Sequence, residues 1–449
     1  MFNSNIYQQC PIFIQNLSLS LRALARKLMR EGKSQLAVLK IIKYNEYDPV
    51  TIKEFSDSRL TSVLEKAQAD VPFYKSDVKG IPVDLAEFSL ISKFDVKDRA
   101  DDFLVGSNRG VFVTGTTSGT TGTPLAIKQS MESIIREQAF VTRHLEWAGF
   151  AAGDKRAWIR GDMIVPLNQK KAPFWRYSYF ENMIMLSSFH MSQQHLSSYI
   201  KAMADFDTQI IQAYPSSIVT LAKYLDANDL YYPGVLKSIV TSSESLAKED
   251  KILVEKRFQC TVFDWYGLFE RVAAIASCEY GRYHILTDYS HVELVPAGKT
   301  EEGKERAEIV GTNFNNSLYP LIRYKTGDHV ILSEEVACPC GRVFPIVDSI
   351  EGRVGDYLVA EDGQKVHILN HIPKGVNGLL GTQFIQKELM KIEVLVTCNS
   401  DFIDSERLKL ITNIKERLGH KMEVTITVVN DFIRTKNGKM RQAICELQR

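Results

Sequence analysis

Leu17, Leu21, Leu24 and Leu28 lie on one face of a helix, with Arg22, Arg26 and Arg30 elsewhere on the wheel. Two arrangements suit such a stripe: a helix lying on an anionic membrane, or a helix packed on its own domain with its arginines in water. The second is expected, because the stripe is short and contains no Trp or Phe anchor. From about residue 50 to 250, helical patterns alternate with short β-rich runs. GVFVTG at 110–115 and TQIIQAY at 208–214 read as strands, 132–146 and 216–229 as helices, and KSIVTSSE at 237–244 again as β-rich. This alternation predicts an α/β domain with parallel strands.

Residues 285–333 are more uniformly β: HVELV, AEIVGT and HVILS are separated by turns bearing Gly and Pro. Glu-Gly-Arg-Val-Gly-Asp at 351–356 predicts a hinge, since glycine frees the backbone. Beyond it, strands at 392–398 and 422–429 flank a helix running from near Ser405 to Gly419. The organisation expected is a large α/β domain over 1–350, a hinge at 351–356 and a small, mobile α+β domain over 357–449. There is no internal repeat and no low-complexity segment.

Composition narrows the class. The chain has 449 residues, 45% hydrophobic and 24% charged, which is globular rather than disordered. Lys and Arg number 55 against 54 Asp and Glu, so no global field is available to hold nucleic acid. Seven cysteines, an odd number, argue against a secreted disulfide scaffold. No apolar run approaches the ~20 residues that span a bilayer, and residues 1–21 carry no side-chain charge, the wrong order for a signal peptide. A soluble cytoplasmic protein is expected, with no nucleic-acid partner and no stable membrane insertion.

The most informative stretch is Thr-Gly-Thr-Thr-Ser-Gly-Thr-Thr-Gly-Thr-Pro at 114–124, with seven hydroxyls and three glycines in eleven positions. Glycine lets backbone N–H groups converge, and hydroxyls add donors, so the loop suits polyphosphate oxygens. It is not a Walker A loop: no Gly-Lys-Ser/Thr occurs, and no lysine lies between Lys97 and Lys128. An exposed linker is the alternative, disfavoured by the adjoining hydrophobic strand and the closing proline.

Thr117-Ser118-Gly119-Thr120-Thr121-Gly122-Thr123-Pro124 resembles the phosphate loop of the adenylate-forming superfamily of acyl-CoA ligases. The resemblance continues in order. Ser242-Ser243-Glu244-Ser245 resembles the segment before the adenine pocket. Tyr266-Gly267-Leu268-Phe269-Glu270 resembles Tyr-Gly-x-Thr-Glu, with Phe269 for threonine. Tyr324-Lys325-Thr326-Gly327-Asp328 resembles Tyr-Arg-Thr-Gly-Asp. Gly352-Arg353 resembles the hinge motif, and Arg434–Arg441 the C-terminal catalytic-lysine motif. Tyr214-Pro215-Ser216-Ser217 and Cys338-Pro339-Cys340-Gly341-Arg342 resemble the phenylacetate–CoA ligase and CapK-like branch.

The resemblance implies an ATP-dependent enzyme that forms an acyl-adenylate and pyrophosphate. The loop Thr117–Thr123 would hold the β- and γ-phosphates, Ser243, Glu244, Ser245 and Gly267 would contribute to the nucleotide site, and Tyr266 would stack on adenine or flank the acyl pocket. Glu270 would bind Mg²⁺, a hard cation that prefers oxygen ligands. Asp328 would bind the ribose, Arg353 ribose or phosphate, and Lys439 the α-phosphate and ester oxygens. Coenzyme A is the acceptor that the superfamily implies. The CapK-like resemblance offers an amine or hydroxyl acceptor in polysaccharide biosynthesis instead. A non-catalytic nucleotide- or partner-binding paralogue is the rival that the departures at Thr123, Phe269 and Lys325 would favour. The carboxylic acid is not readable from the sequence. Its pocket is expected from 158–166, 214–217, 240–245 and 265–270, where Trp158, Tyr214, Trp265 and Phe269 hint at an apolar acyl group. A CoA tunnel is expected to border 369–384, and a homodimer is a further option.

Separately, Cys278-x₅-His284 and Cys338-x-Cys340 supply three thiols and an imidazole, a Cys₃His set suited to structural zinc. The alternative is four unrelated residues, with His284 on the surface.

Overall fold

The computed structural model describes the chain except residues 1–3, 76–82, 107–110, 117–124, 301, 354–356, 367–371, 374, 436–439 and 448–449. Helices α1 (Asn5–Gln9), α2 (Ile12–Arg30), α3 (Lys33–Tyr44), α4 (Pro49–Asp70) and α5 (Lys93–Asp98) come first. A hairpin follows, β1 (Phe112–Thr116) and β2 (Ala126–Ser130), and leads into α6 (Met131–Trp147). The α/β part then runs β3 (Arg156–Arg160), β4 (Trp175–Ser178), β5 (Met183–Ser187), α7 (Leu196–Asp205), β6 (Ile210–Ala213), α8 (Pro215–Ala227), β7 (Ser238–Ser242), α9 (Lys248–Phe258) and β8 (Thr261–Gly267). The β-rich stretch supplies β9 (Ala274–Ser277), β10 (Tyr283–Ile285), β11 (Ser290–Lys299), β12 (Glu305–Asn313), β13 (Tyr324–Leu332) and β14 (Ile346–Arg353).

Strands β3 to β14 form one twelve-stranded sheet in the order β11-β12-β13-β14-β10-β9-β8-β7-β6-β3-β5-β4. Its β5-β3-β6-β7-β8 section is parallel and the rest antiparallel. The parallel strands are largely buried (β5, Met-Ile-Met-Leu-Ser, at every position) because α7, α8 and α9 help cover them. Residues 33–98 contain no helix–strand alternation among those described: they form helices, whose apolar faces pack on α6 and the β-rich part.

Past β14 the chain changes sheet. β15 (Leu358–Val359) and β16 (Lys365–Val366) pair with each other. A second sheet holds β17 (Leu379–Glu388), β18 (Lys391–Cys398), β19 (Glu423–Val428) and β20 (Ala443–Cys445) in the order β19-β18-β17-β20, with α10 (Asp404–Leu418) packed on it. Gly419 ends α10 at φ 119°, as the sequence reading expects. Residues 379–384, assigned above to a CoA tunnel border, are strand in this small core, with Phe384 buried.

One buried acid in the large sheet has a measurable consequence. Asp264 on β8 accepts hydrogen bonds from the Thr241 and Tyr283 hydroxyls at 2.6 and 3.2 Å, yet burial lifts its carboxyl to about 6. A raised acid holds its proton in the folded chain where the unfolded chain has lost it, so stability falls as pH rises from near 4 through 6. Asp264→Asn keeps both hydroxyl partners. It is expected to gain up to about 3 kcal/mol at pH 7 and nothing near pH 4, read by urea unfolding at the two pH values.

Candidate functional site

Arg160, Tyr214, Ser242 and Tyr266 lie at or just past the carboxyl ends of the parallel strands, the usual ligand position in such sheets. Tyr266 near the end of β8 donates to Asp328 Oδ2 on β13 at 2.8 Å, and Tyr324 at the start of β13 donates back to Glu270 Oε1 at 3.2 Å. This reciprocal pair locks together two segments that are not neighbours in the sheet. Gly311 on β12 permits the approach: a Cβ there would stand 2.0 Å from the Val272 carbonyl oxygen. Asp328 also sits opposite Arg353 in the β13–β14 register.

Glu270 is 2% exposed, and among the described residues no Lys, Arg or His lies within ion-pair distance of it. A buried carboxylate without a cation is costly unless a ligand supplies one. This observation fits the donor set expected for Mg²⁺. The neighbouring Arg271 turns away at φ 59°, bonding Glu137 Oε2 at 2.6 Å and Gln129 Oε1 at 3.0 Å.

The glycine–hydroxyl loop, Thr117 to Thr123, lies outside the described residues, but both strands flanking it are pinned beside Glu270. Gly115 on β1 lies under the Phe269 ring, where a Cβ would come within 2.2 Å of Cζ. Gln129 on β2 donates to the Phe269 carbonyl at 2.9 Å. Phe269, the departure from the threonine of the motif, thus packs on the hairpin. It adds no hydroxyl to the site.

Glu244 joins the two domains. One carboxylate oxygen accepts from the Ser216 amide at the start of α8 at 2.9 Å, the other from the Met440 amide at 3.0 Å. Its charge therefore sits at a helix N-terminus, where N–H groups converge, and its second oxygen tethers the C-terminal motif. Arg434 and Met440 form a β-bridge that closes that segment. Lys439, Gly355 and Asp356 lie outside the described residues, as does the side chain of Arg353. Ser243 and Ser245 are exposed at the rim, and Ser243 holds a strained φ of 73°.

Sequence reasoning missed Arg160. Its NH2 donates to the Ser242 and Ser243 hydroxyls at 2.6 and 2.7 Å, and its guanidinium lies 4.9 Å from the Trp158 ring and 5.1 Å from the Tyr214 ring. Burial lowers its pKa, and among the described residues no carboxylate pairs with it within 4 Å. An arginine ending a strand of apolar neighbours was the available signal. Trp158 and Tyr214, both named above for the acyl pocket, flank this guanidinium. Trp265 instead packs against His144, at 5.4 Å between centroids, and Tyr289.

At the other end of β9, away from Glu270, Cys278, His284, Cys338 and Cys340 converge with all their donor atoms within 4.8 Å of one another. Cys278 and Cys338 sulfurs are 3.6 Å apart, and Cys340 Sγ is 3.5 Å from His284 Nε2. Tetrahedral bonds of about 2.0–2.3 Å set such donors roughly 3.5 Å apart. His284 is fully buried, not on the surface, and its Nδ1 meets the Phe344 carbonyl at 3.3 Å, which orients Nε2 inward. The Arg342 amide donates to Cys340 Sγ at 3.5 Å. The residues fit a closed metal site.

The CapK C-terminal domain family matches residues 358–446. The chain is similar to protein CapK of Staphylococcus aureus, 25% identical over 451 residues, 98% of each chain. It is similar to the phenylacetate–coenzyme A ligase of Pseudomonas putida, 24% identical over 365 residues, 77% of this chain and 76% of that one. Its fold matches 2-hydroxyisobutyryl-CoA ligase in the postadenylation state in complex with R3-HIB-AMP, with a TM-score of 0.64 at 16% identity, covering 89% of this chain and 91% of that one.

Proposed function

We propose that this chain, whose relatives are CapK and the phenylacetate–coenzyme A ligases and whose fold is that of an adenylate-forming CoA ligase, activates a carboxylic acid with ATP and passes the acyl group to coenzyme A. The observation that carries the reading is the Tyr266–Asp328 and Tyr324–Glu270 pair, which sets a buried carboxylate, with no basic partner among the described residues, beside the roots of a hydroxyl-rich loop.

In the first step a carboxylate oxygen attacks the α-phosphorus, the bond to the bridging oxygen breaks, and pyrophosphate leaves. Two anions must meet, so fixed positive charge and N–H donors lower the barrier. Glu270 would hold Mg²⁺, which draws charge from the phosphate oxygens when bound. Asp328, oriented by Tyr266, would accept from the ribose hydroxyls, and Thr117–Thr123 would donate to the outer phosphates. Lys439, next to the Met440 amide held by Glu244, would reach the α-phosphate. In the second step a thiolate attacks the acyl carbon and AMP leaves. The small domain would turn about residues 351–356 between the steps. Arg160, between Trp158 and Tyr214, would face the acyl group.

A second reading, an amine or hydroxyl acceptor in polysaccharide biosynthesis, is favoured by full-length similarity to CapK and by the match at 358–446. Pyrophosphate release with a panel of acids tests activation, and mass spectrometry with CoA, amines and sugars tests the acceptor. Absence of turnover with every acid, together with absence of ATP binding by calorimetry, would leave the non-catalytic rival standing. Cytoplasmic location and a structural zinc at Cys278, His284, Cys338 and Cys340 form part of the same proposal.

Glu244→Ala is expected to slow adenylation about tenfold while leaving thioesterification of supplied acyl-adenylate unchanged. It removes a charge-assisted bond that matters in one domain orientation. Equal loss in both half-reactions would refute a role as tether.

A further inference from the structure

Helix α2 is packed inside out. Its buried face is Gln15, Asn16, Leu19, Ser20 and Ala23. Gln15 bonds the Arg176 guanidinium, Asn16 Oδ1 accepts from the Tyr177 amide at 3.0 Å, and Ser20 Oγ accepts from the Tyr179 amide at 2.9 Å. These polar contacts dock α2 on β4 and the turn that follows it. Most of the leucine stripe expected to pack on the domain faces outward instead: Phe13 is 70% exposed, Leu17 53%, Leu21 54% and Leu28 75%, while Leu24 is half-buried. Phe13 also extends the stripe by one turn and supplies an aromatic anchor at its start. An apolar row of this length in water marks a docking surface.

Charge identifies the occupant. Residues 1–44 carry seven Lys and Arg against Glu31 alone, a net +6 in a chain whose formal charge is +1. Arg26, Lys27, Lys33 and Lys40 are exposed. A second copy on a two-fold axis would set this basic face against itself. An anionic bilayer complements it: leucine and phenylalanine enter the acyl boundary while basic groups remain among the headgroups. Among the described residues no helix is long and apolar enough to cross a membrane, so the contact is peripheral. We infer that α2 seats this protein on an anionic lipid surface through Phe13, Leu17, Leu21 and Leu28.

Co-sedimentation of the full chain with phosphatidylglycerol–phosphatidylcholine vesicles tests this, with pure phosphatidylcholine vesicles in parallel. Binding is expected to the anionic vesicles, to weaken at least about tenfold on neutral ones, and to fall with salt. The triple variant Phe13→Ser, Leu17→Ser, Leu21→Ser changes exposed positions, so its thermal unfolding should match the parent while vesicle binding drops about tenfold or more. The pair Arg26→Glu, Lys27→Glu should lose anionic preference. No vesicle binding by the parent, or binding indifferent to the serine variant, overturns the inference. So does a parent dimer in light scattering that the serine variant converts to monomer without any vesicle binding having been seen. None of these readouts depends on the reaction proposed above.

Discussion

Lys439→Ala is expected to slow pyrophosphate release by about a hundredfold, and by no less than about tenfold, without unfolding the protein. The size follows from the chemistry: one carboxylate approaches one phosphate, and removing a fixed cation from such a site costs a few kcal/mol at the transition state. The context of the residue is specific. Met440, the next residue, is held by Glu244, and Glu244 is itself held at the α8 N-terminus. A lysine held this way contributes only while the domains are so oriented. The test is therefore split: ATP–pyrophosphate exchange should fall, while thioester formation from supplied acyl-adenylate and CoA should persist. Exchange at the parent rate would sink the assignment. Circular dichroism and unfolding curves should be unchanged, since the substitution removes a charge and no large apolar side chain.

Cys338→Ser is expected to lose a stoichiometric zinc and to destabilise the large domain by roughly 3 kcal/mol or more. Cys278 and Cys338 are buried, and burial pushes both thiols up when no cation is present, Cys338 to about 12. A metal makes those sulfurs thiolates and joins three separated pieces: the end of β9, β10 and the turn before β14. Elemental analysis of the purified parent should show about one zinc per chain. Chelation should lower its melting temperature, while the serine variant should be both metal-free and insensitive to chelator. With all four positions occupied there is no open coordination site, so adenylation should fall only as far as folded protein is lost. A parent that carries no metal, or a serine variant as stable as the parent, would reject the site. Asp264→Asn runs the other way, stabilising at neutral pH by removing a buried charge.

Elements with strong local signals were legible. The helix at 132–146 appears as α6, the strand at 208–214 contains β6, the runs at 285–333 contain β11 to β13, and Gly419 ends α10. Their periodicities are local, and local patterns survive without knowledge of partners. The stretch from 50 to 98 was less readable, because short apolar runs do not distinguish strand from helix until their neighbours are known.

The sequence alone singled out Glu270 and Asp328 as candidates through the resemblance and the four zinc candidates by residue type, and it set the apolar stripe of α2. Only the tertiary structure decided how they are used. It showed that Glu270 is buried with no Lys, Arg or His among the described residues in ion-pair distance, and that Tyr266 and Tyr324 bond the two carboxylates. It placed Arg160 between two rings and turned the α2 stripe to solvent. The physical reason is that spacing along a chain fixes which side chains share a face. Which face is buried depends on the free energy of the partner it meets, and for α2 hydrogen bonds from Arg176, Tyr177 and Tyr179 captured Gln15, Asn16 and Ser20, leaving Leu17, Leu21 and Leu28 exposed.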